Sequence, residues 1–233
     1  MRVTAFTFAL ALASPAAAFE PTANYRKHDL QEFTVYLGPE LVRNSRDADA
    51  VLRQTDIELE RIAHVVPDRA LWALRKVPIW VEWDAPTDKQ KIVARFFPGL
   101  SYVKKAGLNP GKANGIEVPH ARRFLEEYQA GSQWVLMHEL AHAHHALALT
   151  DKQDAAVKAA HKQAVERRLY ENVEHFNGVR TRGYAVTNHF EYYATLTEAY
   201  FGKSFNFPYD RPGLLRYDTV GYWLMHDTWG KPK

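Results

Sequence analysis

The chain has no cysteine among its 233 residues. That absence excludes disulfides, thiolate metal ligands and a cysteine-borne lipid anchor. Stability must come from an ordinary apolar core. With 46% hydrophobic residues, about two hundred residues can build one as a single domain. A strong charge bias is also missing. The formal net charge is +3, too mild to point to nucleic acid. The basic pairs Arg75-Lys76, Lys104-Lys105 and Arg122-Arg123 read as solvated surface. No internal repeat, low-complexity tract or compositional break divides the chain.

Long apolar runs are absent as well. The run from Val3 to Ala13 is too short to span a bilayer as a helix. It follows Arg2 and leads into Pro15 and Ala16-Ala17-Ala18, the charged, apolar and small-residue succession of a secretory signal peptide. The expectation is cleavage after Ala18, with residues 1–18 as leader and residues 19–233 as one exported domain. That domain would act in the periplasm or outside the cell, without stable membrane insertion.

What is present begins with strands and ends with helices, which predicts an α+β fold: a small mixed sheet followed by a mostly helical second half. Residues 32–38 (EFTVYLG) read as a strand. Residues 45–66 read as a helix, with Leu52, Leu59, Ile62 and Val66 on its apolar face and Ser45 as N-cap. Residues 76–84 (KVPIWVEWD) alternate as a strand, which Pro78 pushes towards a sheet edge or a strand start. Residues 91–97 form another strand candidate. Residues 115–118 (GIEV), stopped by Pro119, read as a short strand, placed either at a sheet edge or inside the sheet.

Helices follow at residues 132–149, 150–169, 188–202 and about 219–229. Thr150 and Gln153 form a capping-box pair, as do Asn188 and Glu191. Asn177-Gly178 signals a hairpin between extended runs. The aromatic residues Tyr192, Tyr193, Tyr200, Phe201, Trp223 and Trp229 are assigned to core.

The stretch MHELAHAHH, residues 137–145, concentrates imidazoles within the helix at 132–149. Positions four apart share one helix face, so His138 and His142 can aim ring nitrogens at one ion. Glu139 is rotated by about 100° from His138, beside such an ion rather than on it. This is H-E-x-x-H, two zinc ligands and a general base. Val135, Leu136, Leu140 and Ala141 supply the apolar surroundings that bury the helix. His144 reads as an exposed bystander, and His145 as a packed residue or a support to the ligands.

A catalytic zinc takes a third protein ligand and keeps an open position. The longer motif with a third histidine fails, because His145 and Ala148 occupy its glycine and histidine positions. The helix at 188–202 offers His189, Glu191 and Glu198. The two glutamates lie about 10 Å apart along the axis, so both cannot bind one ion.

Tyr184 followed by EYYA at 191–194 resembles the lethal-factor-type zinc metallopeptidases, the group of the anthrax toxin protease. The resemblance runs over about residues 95–230 and is similar to an exported branch of that group. NPGKANGIEVPHARRF, WVLMHELAHAHH, GYAVTNHFEYYATLTEAYFG and YDTVGYWLMHDTWG carry it. It implies a zincin-like fold, one Zn2+ per chain and a peptide or protein substrate. It also implies Glu191 as third ligand and Tyr184 as hydrogen-bond donor to the oxyanion. Thr195 departs from the group, which has a second glutamate there, and Glu198 one turn on is the candidate substitute. The expected activity is a metalloendopeptidase with His138, His142 and Glu191 as ligands and Glu139 as base. The alternatives are a metal-stabilised binding module without turnover and a zinc amidase acting on cell-wall peptide. In zincins an edge strand beside the active helix pairs with extended substrate, a role for which GIEV is placed.

Overall fold

The computed structural model describes residues 19–85, 88, 92–131 and 134–233. The leader assigned to residues 1–18, the start of the strand at 91–97 and the start of the helix at 132–149 lie outside them. The fold is α+β, with a small mixed sheet and a mostly helical second half. Among the described residues no helix is long and apolar enough to cross a membrane.

Among the described residues five strands form the main sheet: β1 (Arg26–Leu30), β2 (Phe33–Leu37), β3 (Ile79–Val81), β4 (Arg95–Phe96) and β5 (Ile116–Val118), in the order β1-β2-β3-β5-β4. The outer pairs are antiparallel, and β2-β3 and β3-β5 run parallel. Parallel inner strands are covered on both faces and lose the alternation of a half-exposed strand. Accordingly Ile79, Trp80 and Val81 are all buried, although the sequence alternates. Pro78 marks a strand start, not an edge, because β3 is central.

Of the two positions open to GIEV, the sheet takes the inner one. Ile116–Val118 is an inner strand, since Arg95 and Phe96 register against Glu117 and Ile116. Arg95 also donates from Nε to Glu117 Oε2 across the pair, at 2.9 Å. Among the described residues β4, not β5, is the edge strand on this side of the sheet, and β1 is the edge on the other.

The helices before the site are α1 (Pro39–Arg43), α2 (Ser45–Val65), α3 (Asp68–Leu74), α4 (Leu100–Lys105) and α5 (Ala121–Gln129). Asn44, not Ser45, is the N-cap of α2. The buried face of α2 runs Ala48, Val51, Thr55, Glu58, Leu59 and Ile62, at helical spacing. Leu52 is only partly buried against the core.

Helix α6 (Val135–Ala148) packs against α2, α3, α8 (His189–Phe201) and the strands β4 and β5. Helix α7 (Asp151–Glu166) opens with the expected capping box of Thr150 and Gln153. A two-strand hairpin, β6 (Val173–Glu174) with β7 (Arg180–Thr181), turns at Gly178, whose φ of +83° favours glycine. Helices α9 (Arg211–Tyr217) and α10 (Thr219–Trp229) complete the fold, each capped by an aspartate side chain, Asp210 and Asp218.

Among the aromatics assigned to core, Tyr192, Tyr193, Tyr200, Phe201 and Trp229 are buried. Trp223 is 51% exposed, on the outer side of α10, which corrects that assignment. His144 is corrected in the opposite sense. It is buried, stacks on Trp229 with centroids 3.7 Å apart, and pairs through Nδ1 with Tyr193 Oη at 2.9 Å.

Candidate metal centre

Helix α6 starts on a buried carboxyl from another helix. Glu58 of α2 accepts from the backbone N–H groups of Leu136 and Met137 at 2.8 and 3.1 Å. These belong to the first-turn donors that an α-helix leaves without internal partners. Burial raises the Glu58 pKa well above the usual carboxylate range, against the lowering effect of the two N–H groups. The carboxyl thus holds the start of the helix as a hydrogen-bond acceptor. The only sequence signal for this was a glutamate on the buried face of α2. Its partner lies 78 residues away.

One turn into α6, His138 and His142 stand on the same face with ring centroids 4.9 Å apart and nearly perpendicular planes. Helix α8 crosses opposite. A single oxygen, Glu191 Oε2, lies 3.1 Å from His138 Nε2 and 3.3 Å from His142 Nε2. One donor atom from each of the three residues falls within 4.8 Å of the others.

Two imidazoles and a carboxylate are a donor set that divalent zinc accepts, and these three donor atoms lie close enough together to share one ion. The Glu191 carboxylate suits this environment. Burial works against its charge, but hydrogen bonds to His138 and His142 lower its pKa to about 2. Its backbone N–H, with that of Phe190, donates to the Asn188 cap, while its carboxylate turns to the two histidines rather than back to the cap.

The other ring nitrogen of His138 is engaged as well. Nδ1 lies 2.7 Å from Glu198 Oε1, two turns along α8 from Glu191. An imidazole bound through Nε2 and held through Nδ1 by a carboxylate has its tautomer and orientation fixed. Thr195 does not take part: its Oγ1 is buried without a hydrogen-bond partner.

Glu139 is 8% exposed and lines a cleft of about 450 Å³ with His138, Tyr184, Thr195 and Glu198. Ile92, Val93 and Ala94, leading into β4, form part of the wall, and Trp134 and Phe205 line it too. Tyr184 sits in a short turn, Tyr184–Val186, before α8. Its ring lies 5.9 Å from that of His138 and half of the residue is exposed. Burial, then the charges of Glu191 and Glu139, push the Tyr184 pKa up to about 12, so the phenol stays protonated at neutral pH.

The remaining histidines divide. His189 does not join His138 and His142 but faces His145 and Asp154. His145 is buried with Nε2 2.9 Å from Asp154 Oδ1. A larger hollow of about 840 Å³ is lined by Tyr25, Glu82, Lys112 and Glu117. Its charges are already matched, with Lys112 between Glu82 and Glu117 and the Tyr25 hydroxyl donating to Glu82. Comparison with protein-family models, with curated proteins and with solved structures gave no match.

Proposed function

We propose that the chain is a zinc-dependent peptidase acting outside the cytoplasm, with His138, His142 and Glu191 holding the ion. The observation that carries this reading is the single Glu191 oxygen between the Nε2 atoms of both H-E-x-x-H histidines. The likeness of residues 95–230 to lethal-factor-type peptidases supports the same ligand set. The signal-peptide pattern of residues 1–18 supports export.

Zinc, when bound there, supplies a Lewis acid that brings the pKa of a water towards about 7. The chain's own residues do the rest. Glu139, at the cleft wall beside His138, takes a proton from the attacking water and delivers it to the leaving amine. Tyr184 donates from its hydroxyl to the carbonyl oxygen as negative charge develops there. Glu198 orients His138 through Nδ1, in place of the glutamate that the resemblance puts at 195. The substrate lies extended along the free edge of β4, the strand that takes the role expected of GIEV, so main-chain pairing supplies affinity with loose side-chain choice.

The test is incubation of the mature chain with a random peptide pool, alongside Glu139→Gln at equal zinc content. The wild type is expected to cleave peptides and the variant to keep zinc without cleaving. A Glu139→Gln protein as fast as wild type would refute the mechanism. A zinc-loaded wild type that cleaves no peptide would refute the peptidase reading.

A further inference from the structure

We propose that His145, Asp154 and His189 form a second cation site, separate from the centre described above and independent of the peptidase reading. His145 comes from the last turn of α6, Asp154 from the first turns of α7 and His189 from the first residue of α8. One nitrogen or oxygen donor from each lies within 4.8 Å of the others.

Two features set this cluster apart from an ordinary hydrogen-bonded histidine. His189 Nε2 is buried and has no hydrogen-bond partner, and His145, its side chain 2% exposed, presents Nε2 to Asp154 Oδ1 at 2.9 Å. Leaving polar nitrogens buried without partners costs free energy. The surrounding rings of Phe190 and Tyr193, 5.0 and 5.1 Å from His145, offer no acceptor or donor on their faces to match it.

A divalent ion gives two imidazoles and one carboxylate oxygen a common partner, in a His₂Asp set suited to zinc with a fourth position for water. Asp154 Oδ1 faces His145, while its other oxygen takes Lys158 Nζ at 2.6 Å, so the carboxylate is held in place from outside. An ion here ties the end of α6 to the start of α8. These are the helices that carry His142 and Glu191, three and two residues away, so the site braces the first centre without belonging to it.

The experiment loads the full mature chain with zinc, removes excess, and counts zinc per folded chain by mass spectrometry, with a thermal melt of each sample. Wild type should hold two equivalents. Asp154→Asn with His189→Gln should hold one, and His142→Ala should hold one. Adding both changes to His142→Ala should leave none. Zinc should still raise the Tm of His142→Ala and should cease to do so in the triple variant.

Both substituted positions are only partly buried, in the opening turns of their helices, and the wild-type count stands without any variant. One zinc per wild-type chain overturns the second site if His142→Ala loses that zinc. Two zincs retained in the Asp154→Asn, His189→Gln chain overturn it as well. A wild-type zinc lost with Asp154 and His189 but kept in His142→Ala upholds the second site and removes the first.

Discussion

His138 Nδ1 lies 2.7 Å from Glu198 Oε1 while its Nε2 faces Glu191. The ring is thus held between two carboxylates of one helix, Glu191 at Nε2 and Glu198 at Nδ1. Glu198→Ala is expected to weaken zinc binding by about 10–100-fold. Glu198→Gln, which keeps an acceptor oxygen, should lose less. Competition with a coloured chelator reads both constants, and equal affinities for Ala and wild type would remove Glu198 from the design.

Tyr184 tests the oxyanion role. With its pKa near 12, the hydroxyl remains a donor across the working range. Tyr184→Phe is expected to lower kcat by about 10²–10³-fold, with KM and zinc content nearly unchanged. A change confined to KM would make Tyr184 a binding residue instead.

Glu58 tests whether the centre depends on how α6 is started. Glu58→Ala leaves the N–H groups of Leu136 and Met137 without their acceptor and opens a cavity, a loss of about 2–5 kcal/mol. Glu58→Gln keeps an acceptor and should cost much less. Urea unfolding of the two variants checks this, and equal stabilities would show that the carboxyl does not hold the helix.

Acid stability follows from His144. Burial, then the neighbouring His145, lowers its pKa to about 3, against about 6.5 in the unfolded chain. Between those values the unfolded state binds a proton that the folded state refuses. His144 therefore adds an acid-dependent loss of stability that begins as pH falls below about 6.5 and ends near 3, with a slope of up to about 1.4 kcal/mol per pH unit. His144→Phe keeps a ring against Trp229 and should flatten that part of the profile between pH 7 and 5. An unchanged profile would mean that the imidazole is protonated within the fold.

The parts of this fold that were legible in advance are those whose cause is local. Helix α7 reads from Thr150 and Gln153, and both side-chain bonds of the capping box are present. Helix α2 follows its apolar spacing and α8 its Asn188 cap to within a few residues. The pairing of His138 with His142 follows from helical geometry alone.

What was not legible depends on partners distant in sequence. The β1 strand, RKHDL, has mostly exposed side chains and is held by backbone pairing to β2, so it has no hydrophobic period to find. GIEV became an inner strand because two residues, Arg95 and Phe96, pair outside it. His144 is buried because Trp229, 85 positions later, supplies a stacking face. Glu58 is marked in the sequence only as a carboxylate in a helix, and its role depends on how α2 lies against α6, which no spacing records. Glu198 is singled out in the sequence only through the resemblance, as the candidate substitute for the glutamate missing at 195.

The measurement that tests the account most directly is the zinc content of the folded mature chain, purified without chelators or an added histidine tag, against that of His142→Ala. The account expects the wild type to carry zinc and the variant to lose one equivalent while remaining folded. A wild-type chain that takes up no zinc when it is supplied, or a His142→Ala chain with an undiminished count, would contradict it.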